Sequence, residues 1–230
     1  MSDQSGTKAE DRERAPLSIV LGVSGASGAL YGWHLIRALA LLTQGTTRLV
    51  LSPSALRVCR EELAAEVETP EDYLAAALAG IAPQEREQIQ QRFIIEDYRD
   101  IGAKPASGST PSDGMAIVPC SMKSLASIAH GITGNLVERA ADVCLKERRR
   151  LVVVPRETPY SRIHLQNMLA LTEAGGVVLP ASPGFYQRPE TIDDLGRFIA
   201  GRVLGLFGIR HNLFPGWLAD EQTNSQGGPA

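Results

Sequence analysis

Cysteine is scarce in this chain. Its 230 residues carry three, Cys59, Cys120 and Cys144, with no CxxC pair, which excludes a disulfide framework and a thiolate zinc site. His34, His130, His164 and His211 are scattered without ligand spacing, so no histidine metal centre is indicated. The formal net charge is only −3, leaving no broad basic surface for nucleic acid. No apolar run approaches the roughly 20 residues of a membrane-spanning helix. The polar, charged first sixteen residues lack the apolar core of a secretory leader. Both nucleotide fingerprints are missing: there is no G-x-G-x-x-G turn and no P-loop Gly-Lys-Ser/Thr. The expectation is a cytoplasmic protein with no membrane or nucleic-acid partner. It has a polar arm over residues 1–16, a single domain over 17–210 and a C-terminal segment over 211–230.

What is present is a repeated pattern. Four apolar runs stop abruptly at small, polar or proline-bearing segments. Leu17–Val23 meets Ser24-Gly25-Ala26-Ser27-Gly28, and Thr47–Leu51 meets Ser52-Pro53-Ser54. Met115–Val118 meets Pro119-Cys120-Ser121-Met122-Lys123-Ser124, and Leu151–Val154 meets Pro155-Arg156-Glu157-Thr158-Pro159. Buried parallel strands read as continuous apolar runs, and ligands of open α/β sheets lie outside the strands' carboxyl ends. Four such ends describe one site assembled from distant segments.

Between these runs, helical periodicity predicts helices at Ala29–Leu42, Ser54–Glu66, Glu71–Ala79, Pro83–Gln91, Ser121–His130, Leu136–Glu147, Ser161–Ala174 and Ile192–Phe207. Short strands are predicted at Phe93–Ile95 and Gly176–Leu179. The alternation argues for a doubly wound α/β fold, a Rossmann- or flavodoxin-like parallel sheet with helices on both faces. Asp97–Gly114, with its glycines and prolines, is a long loop of the kind that serves function or assembly.

The residue types at the strand ends narrow the chemistry. Gly22-Val-Ser-Gly25-Ala-Ser-Gly28 is a small-residue turn that lets backbone approach a phosphate, with helix amides aimed at it. Ser52 stands where a dinucleotide binder would carry an acid for ribose. Ser121 is a helix N-cap candidate, with Lys123 and Ser124 clustered behind it. Cys120 is either a buried thiol or a nucleophile, with no base near it in sequence. Arg156 and Glu157 directly follow a buried strand, where charge must be paired. Lys146, Arg148, Arg149 and Arg150 read as the cationic last turn of a helix. Hydroxyls, a guanidinium and a carboxylate around one crevice fit a planar, phosphorylated ligand.

These segments together resemble the flavin prenyltransferase (UbiX-like) family. The likeness is carried by Gly22-Val-Ser-Gly-Ala-Ser-Gly-Ala-Leu-Tyr-Gly32, Pro119-Cys-Ser-Met-Lys-Ser124, Arg139-Ala-Ala-Asp-Val-Cys-Leu-Lys-Glu-Arg-Arg149, Arg156-Glu-Thr-Pro159, Phe185-Tyr186 and Arg188-Pro189. It extends from about Ser18 to Phe207. It implies a metal-independent transferase that moves a dimethylallyl group from dimethylallyl phosphate to reduced FMN. The product, prenylated FMN, serves UbiD-type decarboxylases. The resemblance places Gly25, Ala26, Ser27, Ser52, Ser121, Met122, Lys123, Ser124 and Arg156 on FMN. It places Arg139, Lys146, Glu157, Tyr186 and Arg202 at the allylic phosphate, some of them from neighbouring subunits of a homododecamer. Lys146 thereby moves from helix-end cation to phosphate ligand and catalytic group. Glu157, with Ser27 and the departing phosphate, is the expected proton relay, and Tyr186 and Trp217 the expected aromatic wall. Two departures stand out: Leu74–Gln91 is longer than in compact members, and Lys104 occupies a loop that is usually apolar. The alternatives are an FMN-dependent decarboxylase, against which stands the lack of an Asn-rich motif, and a non-enzymatic flavin carrier.

Overall fold

A computed structural model describes residues 16–215. Its strands are β1 (Ile19–Val23), β2 (Thr47–Leu51), β3 (Phe93–Ile95), β4 (Gly114–Cys120), β5 (Arg150–Pro155) and β6 (Val177–Val178). They form one parallel sheet in the order β3-β2-β1-β4-β5-β6. The sequence expectation of a doubly wound sheet is met, and the strand order reverses between β1 and β4. At such a switch point the connections leave to opposite faces, and a crevice opens at the carboxyl edge.

Alternate residues of each strand feed two cores. Ile19, Leu21 and Val23 of β1 join Leu49, Leu51, Ala116 and Val118 beneath α1 (Ala29–Leu42), α3 (Pro70–Ala77) and α8 (Ile192–Leu206). Val20, Val50, Met115, Ile117, Leu151 and Val153 face α5 (Met122–Ala129), α6 (Leu136–Lys146) and, through Leu171, α7 (Arg162–Glu173). Both faces of the sheet are therefore apolar, which is why the strands read as unbroken hydrophobic runs. α2 (Pro53–Leu63) and α4 (Pro83–Gln90) complete the helices among the described residues.

Helix starts follow from local chemistry. Ser52, Thr69, Ser121, Asn135, Ser161 and Thr191 each accept a bond from a first-turn amide, and Pro53, Pro70 and Pro83 occupy first helical positions. The expected α1, β2 and β3 coincide with the observed ones. α2 stops at Leu63 rather than Glu66, because Ala64 turns into the left-handed region at φ 47°. β4 runs one residue past Pro119 and β5 ends on Pro155, since a proline that lacks a ladder donor still adopts extended backbone. The β4–β5 register shifts between Ile117 and Cys120 as a result.

The 96–113 loop contains one 3-10 turn, Lys104–Ala106, and returns to β1 through Asp113 N–H on Ser18 O at 2.8 Å. Arg149 fastens it by donating to Gly108 O and, at 2.8 Å, to Thr110 O.

Candidate active site

The four polar strand ends are stitched into one edge. Ser52 N–H donates to Val23 O at 3.0 Å, and Ser24 N–H to Pro119 O at 3.2 Å. Ser121 N–H donates to Ser24 Oγ at 2.7 Å, while that hydroxyl donates to Pro119 O at 3.3 Å. Arg156 N–H reaches Cys120 O at 3.3 Å, and its Nε reaches Ser27 O at 3.3 Å. Gly25 allows the first turn to close on α2: a Cβ there would stand 2.4 Å from Ser54 Cβ. Gly25, Ala26, Ser27, Ser52, Ser121, Met122, Ser124 and Arg156 are thus brought together as expected from their strand-end positions.

Three helix N-termini open on this edge, and they are capped differently. Ser52 Oγ accepts from Ala55 N–H at 3.1 Å and Ser121 Oγ from Ser124 N–H at 3.2 Å, leaving hydroxyl hydrogens to donate. Ser121 spends its hydrogen on Ser124 Oγ at 3.1 Å, so the donor passed on to a ligand is that of Ser124. α1 is different. Its first amides, Gly28 and Ala29, both donate to the Glu62 carboxylate at 2.8 Å. The Gly-rich turn therefore does not offer these two amides to a phosphate, a correction to the sequence expectation. An anion is already there, favoured by the helix dipole.

Charges around the crevice are individually held. Arg156 is half-buried, and among the described residues its terminal nitrogens have no partner. Glu157 follows it, with one carboxylate oxygen accepting from Thr158 N–H at 3.0 Å. Lys123 leans over α5 to Glu138, a fully buried carboxylate that also accepts from Gly134 N–H at 2.9 Å. This bond holds the lysine pKa above its ordinary value, so Lys123 stays charged. Tyr186 is half-exposed and packs edge-on against Phe198 at 5.9 Å, one helical turn before Arg202 on α8.

Lys146 is not brought to the crevice within one chain. It ends α6, whose first residues lie by the crevice, Leu136 N–H bonding Tyr98 O at 2.9 Å. Eleven helical residues carry the chain about 16 Å towards the opposite edge of the sheet. There Lys146 pairs with Glu147 beside Gly108. Arg139 pairs with Asp142 at 2.9 Å on the partly exposed side of α6, and Arg202 is exposed. Trp217 lies outside the described residues.

Residues 7–204 match the model of the family described as Flavoprotein. The flavin prenyltransferase UbiX of Alkalihalophilus pseudofirmus is 45% identical over 205 residues, 89% of this chain and 98% of that protein. The chain belongs to the flavin prenyltransferases. Among solved structures, AnUbiX (PadA1) in complex with FMN and dimethylallyl pyrophosphate superposes with TM-score 0.73 at 38% identity, covering 88% of this chain and 97% of that one. A dodecameric FMN-dependent UbiX-like decarboxylase from Escherichia coli O157:H7 gives 0.74 at 39%, covering 87% and 99%.

The crevice has the chemistry that a flavin prenyltransferase needs for its flavin. Serine hydroxyls cap two helices and leave those of Ser52 and Ser124 to donate, one guanidinium has free terminal nitrogens, and small residues let backbone approach a flat ring. Cys120 resolves as the buried alternative. It is inaccessible, its thiol donates to Ser121 O at 3.4 Å, and burial pushes its pKa to about 12. It is no nucleophile at neutral pH. The histidines are occupied structurally: His34 bonds Asp193 at 3.1 Å, His130 bonds Asn167 at 3.0 Å, His164 completes the α7 cap and His211 bonds Gly201 O at 2.8 Å.

Two residues were missed by reading the sequence. Glu62 is an exposed carboxylate in the last turns of α2, and Glu138 stands among Val137, Ala140, Ala141 and Cys144 on the inward face of α6. For Glu138 a carboxylate on an apolar helical face was the available signal, since burial of that charge demands partners; Glu62 carried no such signal.

Proposed function

We propose that this protein transfers a dimethylallyl group from dimethylallyl phosphate to reduced FMN, and that prenylated FMN passes to a UbiD-type decarboxylase. The observation that carries the reading is the stitched edge. Three serine hydroxyl groups, the Arg156 guanidinium and the Glu157 carboxylate converge at a switch point, on a fold 38% identical in sequence to a protein crystallised with FMN and dimethylallyl pyrophosphate.

Ser52, Ser121 through Ser124, Gly25, Ala26, Ser27 and Arg156 hold the flavin. Reduced FMN, when bound, supplies the nucleophilic ring atoms. Glu157 manages the proton: Thr158 N–H occupies Oε1, leaving Oε2 to take a proton and pass it through Ser27 or the leaving phosphate. Arg139, Lys146 and Arg202 offset the charge that builds on the departing phosphate. Tyr186 presents a ring face to the allylic fragment.

This division requires more than one copy. Lys146 is an α6 length from the crevice of its own chain, so we assign it to the crevice of a neighbour. α7 supports assembly: Ile163, Leu165 and Leu169 are 67%, 53% and 59% exposed on one short helix, more apolar surface than a solvated helix presents. A homo-oligomer, with the dodecamer of the E. coli relative as the expected form, covers it. Within that assembly residues 17–210 act as one flavoprotein domain.

The test incubates purified protein with reduced FMN and dimethylallyl phosphate and weighs the flavin. A gain of one five-carbon unit is expected. An unchanged flavin together with carbon dioxide released from an aromatic acid would favour the decarboxylase alternative instead.

A further inference from the structure

We infer that the amino edge of the sheet carries a second small-molecule site, which binds a compact phosphate- or diphosphate-bearing anion apart from the flavin crevice. A cavity of about 380 Å³ lies between the 104–112 loop, the start of β1, β2 and Arg149. That volume is within the range of small-ligand sites, at its lower end. Six of its lining side chains bear hydroxyls and three are cationic, and no carboxylate among the described residues lines it. In a chain of net charge −3 this is a local reversal of sign.

The carboxylates beside it are engaged, Asp113 by accepting from Ser18 N–H at 2.7 Å. Glu96 is bound to Arg48, both partly buried, and Glu147 to Lys146. Arg48 is thereby neutralised, Glu147 is shared electrostatically between Lys146 and Arg149, and neither Lys104 nor Arg149 has an ion pair of its own. Lys104 has no ion-pair or side-chain hydrogen-bond partner among the described residues. Arg149 donates only to neutral oxygens, the carbonyls of Gly108 and Thr110 and the hydroxyl of Ser112. Those bonds leave Nε and one Nη2 hydrogen unspent and fix the guanidinium plane. A fixed fork beside an exposed ammonium, ringed by Ser109, Thr110 and Ser112, matches a multiply charged oxyanion better than a single carboxylate. The site lies one strand length, about 16 Å, from the Ser24–Ser27 turn at the far end of β1.

The probe is inorganic pyrophosphate, titrated calorimetrically into the protein loaded with oxidised FMN, with and without saturating dimethylallyl phosphate. One saturable site per chain is expected in both titrations. Lys104→Ala, an exposed change that leaves the fold intact, should weaken it about fivefold. Arg149→Lys keeps the charge but loses the fork, and should also weaken it. Transferase kcat/KM for Lys104→Ala should match the wild type. No saturable binding would overturn the inference, as would Lys104→Ala binding equally well. Loss of the pyrophosphate site when dimethylallyl phosphate is added would also overturn it, by assigning the anion to the transferase site.

Discussion

The two edges of the same sheet are built by different rules. At the carboxyl edge, each strand passes directly into a turn or cap, and the turns are bound to one another through Ser24, Ser52, Ser121 and Arg156. At the amino edge, the 96–113 loop is held by a residue remote in sequence, Arg149, and closes over β1 and β2. The first edge is made of backbone and small hydroxyls with one free guanidinium, the second of long cations and a loop clasped by Arg149. α6 links them, with Glu138 buried under Lys123 at one end and Lys146 exposed at the other. One chain thus carries hydroxyls and a guanidinium at one edge and long cations at the other, the two halves that the proposed function assigns to flavin and to phosphate.

The sharpest way to break the comparison is at Glu157. Glu157→Gln should leave FMN affinity within about threefold and lower turnover about 100-fold or more, the range lost with a general acid or base. Fluorescence titration of FMN beside a turnover assay separates the two effects. Equal turnover would move the proton chemistry off the carboxyl edge.

Next in size is the serine cap. Ser121→Ala removes the acceptor for Ser124 N–H and the donor to Ser124 Oγ. It should cost about 1 kcal/mol of stability and lower Tm by about 2–4 °C, with weaker FMN binding. The same substitution at an exposed amino-edge serine, Ser109, should leave Tm unchanged. A Tm drop of similar size at both would erase the distinction between the edges.

The smallest effect comes from the thiols behind them. Burial raises Cys59 to about 11, Cys120 to about 12 and Cys144 to about 11, from an ordinary 9.0. The unfolded thiols ionise first, so their contribution to stability is whole below about pH 9 and is lost as pH rises towards about 12. Thermal melts should be flat in this respect at neutral pH and decline above about pH 9. Alkylation of the native protein near pH 8 should be negligible, and rapid labelling of Cys120 would contradict its burial.

This asymmetry also explains what could be read from the chain. Apolar runs ending in Ser, Gly and Pro encode strand, turn and cap within about ten residues, so β1, β2, α1 and the Ser121 cap were legible, whereas the cap of α2 is Ser52, two residues before the expected helix start. Ser27 and Arg156 meet across 129 residues, yet each was legible because both follow strands whose order the fold class implies. Glu62 was not, because its partners Gly28 and Ala29 are on another element and an exposed glutamate on α2 looks like any solvated charge. The amino edge was least legible. Nothing local to Arg149 says that it will clasp carbonyls at positions 108 and 110, and the motif containing Lys146 does not say which copy it serves.

If one chain's crevice works with another chain's Lys146, mixed oligomers reveal it: Glu157→Gln and Lys146→Ala chains, each inactive alone, are dissociated together, reassembled and assayed for prenylated FMN. The mixture is predicted to recover a substantial fraction of wild-type turnover, because intact cradles of the Lys146→Ala chain meet intact lysines of the Glu157→Gln chain. A reassembled mixture as inactive as its parents, alongside wild-type chains that regain activity by the same treatment, would contradict the divided site.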